Sequence, residues 1–117
     1  MLINIRLYMI DGRDNKYLEF IRDAINEVTN ELRTSGSIIR FTSVKINRDY
    51  IDIILGMLLG GEGPAEFIPI INELREYNVF DLPALIINGK KVLEGKVQEP
   101  SIIKYTLSRK FHELFNV

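Results

Sequence analysis

The chain has 117 residues, 46% of them hydrophobic, with 15 basic and 16 acidic side chains and no cysteine. That length buries one core, so a single domain over 1–117 is expected, and the intermixed charges leave no basic footprint for nucleic acid. Without cysteine there is no disulfide staple, no thiolate metal site and no sulfur nucleophile, and the fold must stand on packing.

Residues 2–10 alternate, with Ile3, Ile5, Leu7 and Met9 on one face and Asn4, Arg6 and Tyr8 on the other, which predicts a strand. The polar turn Asp11-Gly12-Arg13-Asp14-Asn15 then leads into a helix whose Leu18, Ile21, Ile25, Val28 and Leu32 recur at spacings of three and four. Asp14 or Asn15 is expected to cap it. Ser35-Gly36-Ser37 ends the helix, and Ile38, Ile39, Phe41, Val44 and Ile46 read as a second strand. The three elements form a βαβ unit, expected to be parallel and right-handed.

A helical insertion is expected around 48–63. Its residues Tyr50, Ile51, Ile53, Ile54, Leu55, Met57, Leu58 and Leu59 leave almost no polar stripe, so the helix needs cover on most sides. A homodimer through Tyr50, Ile51, Ile54, Leu55 and Leu58 is the expected cover, with wrapping by the chain itself or by a different protein as the alternatives. Gly60-Gly61-Glu62-Gly63-Pro64 reads as a mobile hinge rather than a phosphate loop, because no Gly-Lys-Ser/Thr follows. A further helix carries Phe67, Ile68, Ile70, Ile71 and Leu74, with Pro69 in its first turns, where proline is tolerated.

Leu82-Pro83-Ala84-Leu85-Ile86-Ile87, Asn88-Gly89 and Lys90-Lys91-Val92-Leu93-Glu94 together read as a β-hairpin, since Asn-Gly suits a turn in which both central residues take positive φ. Gly95 ends it. Pro100 opens a last helix with Ile103, Leu107, Phe111 and Leu114 along one stripe, and His112 on the solvent side.

This element order, together with the segment from Asn78 to Gly95, resembles the thioredoxin-like superfamily, in which a cis-proline precedes such a hairpin. The resemblance implies an α/β fold of βαβ-α-ββα order, with a four-stranded mixed sheet covered by helices on both faces. It also places Pro83 at the cis-proline position. The family's Cys-x-x-Cys lies where the first strand meets the first helix. Here that junction reads Ile10-Asp11-Gly12-Arg13-Asp14-Asn15-Lys16, so redox activity does not carry over.

What remains is a non-redox interaction or adaptor module. Its expected binding residues are Asp11, Gly12, Arg13 and Asp14 in the turn, and Leu82 and Pro83, whose backbone would receive an extended peptide. The alternative is a cysteine-independent enzyme in the cleft between the 11–15 turn and Pro83, although no base or nucleophile stands out there. No metal site and no cofactor are expected. With no apolar run near the ~20 residues that span a bilayer, and no basic-then-apolar start at Met1 to Arg6, the protein is expected to be cytoplasmic and not membrane-bound.

Overall fold

The computed structural model describes residues 2–32, 36–95, 99 and 101–115, without the side chains of 30–32 and 115. The elements run β1 (Leu2–Ile10), α1 (Lys16–Leu32), β2 (Ile38–Ile46), α2 (Ile51–Leu58), α3 (Ile68–Glu76), β3 (Ala84–Ile87), β4 (Lys90–Glu94) and α4 (Ser101–Phe115). Single 3-10 turns at Arg48–Tyr50 and Ala65–Phe67 lead into α2 and α3. Ser35 and Pro100, expected at helix boundaries, lie outside the described residues.

The four strands form one sheet in the order β2-β1-β3-β4. β1 and β2 are parallel, and β3 is antiparallel to both β1 and β4, so the sheet is mixed as expected. The alternation in β1 sorts its side chains between two cores. Ile3, Ile5, Leu7 and Met9 pack with α1 and α4 through Tyr17, Ile21, Ile103, Leu107 and Phe111. Tyr8 and Ile10 face the other side, where α2 and α3 contribute Ile54, Met57, Leu58, Ile71 and Leu74. Helices therefore cover both faces, and the α2 region belongs to the core of this sheet.

Local chemistry sets the connections. Asn88 and Gly89 both have positive φ, 49° and 79°, as the hairpin reading requires, and the Leu82–Pro83 peptide bond is cis. α2 and α3 end in the same way. After α2, Gly60 takes φ 99° while its N–H reaches Met57 O and that of Gly61 reaches Gly56 O. After α3, Asn78 takes φ 57° while its N–H reaches Arg75 O and that of Val79 reaches Leu74 O. Both are Schellman closures, with Gly or Asn supplying the left-handed residue.

The glycine segment, expected to be a hinge, follows this closure and lies against α2. A Cβ on Gly61 would stand 2.8 Å from Gly56 O, and one on Gly63 would meet Met57 Sδ at 2.4 Å. These glycines let the loop lie flat on α2. Arg75 Nη2 donates to Met57 O at 2.8 Å and ties α3 to the end of α2.

Candidate functional site

The β1–α1 turn and the proline loop meet as expected, and the contact is closed by the chain itself. Asp14 is 2% exposed. Its Oδ2 accepts from the Ile10 N–H at 2.9 Å, and its two oxygens receive Arg13 Nε at 2.8 Å and Nη2 at 3.0 Å. The same Arg13 Nη2 donates to Leu82 O at 2.6 Å. The Leu82 N–H donates to Asp81 Oδ1 at 2.8 Å, so both backbone groups expected to receive a peptide are already used. Leu82 and Pro83 are buried, whereas Asp11 and Gly12 are exposed. Instead of leaving the strand free, Asn15 Oδ1 accepts from Gly12 N–H, and Asp11 N–H donates to Ile46 O. Turn, sheet and proline loop are thereby joined through Arg13 and Asp14.

The loop is also held from β4. Glu94 Oε1 accepts from the Phe80 and Asp81 N–H groups at 2.6 and 2.9 Å, and Lys91 Nζ bonds both Glu94 and Asn78 O. Burial acts to raise the Glu94 pKa, but the Lys91 hydrogen bond and the two amides outweigh it, and the carboxyl is held below its ordinary value.

The residues expected at a dimer interface fall on different sides of α2. Ile54 and Leu58 are buried in the core beneath the helix, and Ile51 and Leu55 are partly buried against that core. This corrects the expected set: Ile54 and Leu58 are used within the chain, and only Tyr50 among the five is exposed. The outward side chains are Tyr50, Ile53, Leu59 and, from the start of α3, Ile68, which are 41% to 82% exposed. Tyr50 packs on Phe67 with ring centroids 5.3 Å apart, which joins the two helix entrances into one surface.

A third feature lies where α3 crosses the sheet. Tyr8 is buried, and its hydroxyl donates to Glu73, which also receives Arg6. Burial first, and then the bond to Glu73, push the phenol pKa above its ordinary 10.0, while Arg6 pulls more weakly the other way. A raised phenol keeps its proton in the folded state after the unfolded chain has lost it. Stability should therefore fall as pH rises above about 10, by up to about 1.4 kcal/mol per pH unit. Urea unfolding between pH 9 and 11 checks this: Tyr8→Phe should show the shallower decline, and equal slopes would contradict it.

Beside this network, the open half of the sheet holds a cavity of about 350 Å3 lined by Asn4, Arg6, Arg40, Thr42, Tyr77 and Asn88, among others. Of these, the sequence marks Asn4 and Arg6 only as the polar face of β1 and Asn88 only as a turn residue. The signal that could have found the cavity is the parallel register, which sets Asn4 beside Arg40 and Arg6 beside Thr42 on one face.

Among the described residues no group of three or more His, Cys, Asp or Glu is arranged to hold a metal ion. No helix among them is long and apolar enough to cross a membrane. His112 is exposed on α4. No family model, curated protein or solved structure matches this chain.

Proposed function

We propose that the chain is a non-redox, thioredoxin-like interaction module that pairs with a second copy of itself through the outer face of α2. The strand order β2-β1-β3-β4, the helices on both sheet faces and the entry of Pro83 into β3 beside the β1–α1 turn support the architectural part. With no cysteine, that architecture has no sulfur to exchange. Arg13 is bonded both to Asp14 and to the proline loop, which weighs against an enzyme working in the cleft between the 11–15 turn and Pro83.

The observation that carries the pairing is the exposed apolar surface of Tyr50, Ile53, Leu59 and Ile68. Such patches favour burial against a partner. A twofold interface must fit itself, and α2 offers both shapes it needs. Ile53 projects, and Gly56, one turn further along, is exposed with nothing within 4 Å of where a Cβ would stand. The Ile53 of one copy fills the hollow at Gly56 of the other.

Ile53→Glu combined with Leu59→Glu should give a monomer in sedimentation velocity with an unchanged far-UV CD spectrum. Tyr105→Glu, on the exposed apolar side of α4, should leave the dimer intact. A double variant that still pairs, or a Tyr105→Glu variant that dissociates, would place the contact elsewhere.

A further inference from the structure

The cavity on the open half of the sheet has the donors and the charge of an anion site. Its residues come from strands β1, β2 and β3, with the β3–β4 turn and the residue that caps α3 completing the rim, so most of its wall is sheet. No carboxylate is among its lining residues. Arg6 is compensated by Glu73, but through Nη1 alone, which leaves its Nε and Nη2 as donors. Arg40 adds a second guanidinium to the lining, and among the described residues its side chain has no ion pair. Asn88 Oδ1 is committed to the Asn4 N–H at 2.9 Å, and what its side-chain amide has left to offer is the donor end. Thr42 and Tyr77 add hydroxyls, and Ile86 and the Tyr77 ring supply an apolar wall.

We infer that this cavity binds the oxyanion group, carboxylate or phosphate, of a small molecule, with Arg40 and Arg6 as donors from adjacent strands. Forked guanidinium groups fit planar and tetrahedral oxyanions through paired hydrogen bonds. The volume suits a compact ligand near the lower end of the range of small-molecule sites. A second cavity, lined by Lys90 and Lys91 among others, shares Tyr77 and Gly89 with the first and gives the rest of such a molecule a place to lie. None of this depends on how α2 pairs.

The test is an NMR titration of the full chain with inorganic phosphate and, separately, with benzoate, at constant ionic strength. At least one anion should give saturable amide shifts at Asn4, Arg40, Thr42, Asn88 and Gly89. Phosphate as the tighter probe points to a phosphorylated ligand, and benzoate to a carboxylate whose body rests on Tyr77 and Ile86. Arg40→Gln, an exposed change on a sheet edge, should keep the remaining spectrum and weaken binding by about tenfold or more. Arg109→Gln on α4 should leave binding unchanged. Absence of saturation with both anions, wild-type binding by Arg40→Gln, or equal weakening by Arg109→Gln would overturn the site.

Discussion

Replacing Asp14 with Ala is expected to lower the unfolding free energy by about 2 kcal/mol, the cost of leaving one buried donor without its acceptor while losing charged hydrogen bonds. The Ile10 amide, which Asp14 now receives at 2.9 Å, would have nothing in its place, and Ile10 is itself buried. Arg13 would lose its carboxylate and with it the geometry that presents Nη2 to Leu82 O. Because the Arg13 side chain is 39% exposed, its charge can return to water. The larger penalty of a stranded buried charge therefore does not apply. Asp14→Asn should recover most of the loss, since its amide oxygen can still accept from Ile10. Urea unfolding followed by CD measures both, and an Ala variant within about 0.5 kcal/mol of wild type would show that the turn is not held through this carboxylate.

Leu74→Ala should cost more, about 3 kcal/mol within the usual 2 to 5 for a fully buried leucine. Leu74 is 0% exposed at the centre of the α2/α3 core, and its carbonyl accepts the Val79 N–H that closes α3. It fixes the helix that carries Glu73 onto Tyr8 and Arg6, and that brings Tyr77 to the cavity edge. The variant should consequently lose stability and also broaden the amide signals around Arg6 and Tyr77. A loss below about 1 kcal/mol would mean that α3 is anchored by other residues.

How much of this could be read from residues alone depended on the range of the interaction involved. β1 was legible because its alternation is strict, and the turn at Asn88-Gly89 because positive φ restricts the chemistry to a few residue types. Pro83 likewise marks its own place. The orientation of α2 was not legible, since a helix with apolar residues on nearly every side carries no polar stripe to show which side faces out. Ile54 and Leu58 were expected outside and pack inside, while Ile53 and Leu59, to which no side was assigned, face out. The glycines after α2 signal flexibility by composition, and only the known end of the helix turns Gly60 into a cap and Gly61 into a packing contact. The cavity was furthest from view. It exists because α2 and α3 cover only the Tyr8 and Ile10 end of β1, leaving Asn4 and Arg6 next to Arg40 and Thr42, a consequence of register and of helix reach that no local pattern encodes.

The homodimer is tested most directly by the mass of the unmodified protein in solution, followed by multi-angle light scattering over a concentration series. Pairing through α2 predicts a mass that reaches twice 13.5 kDa as concentration rises. A mass that stays at 13.5 kDa throughout contradicts it.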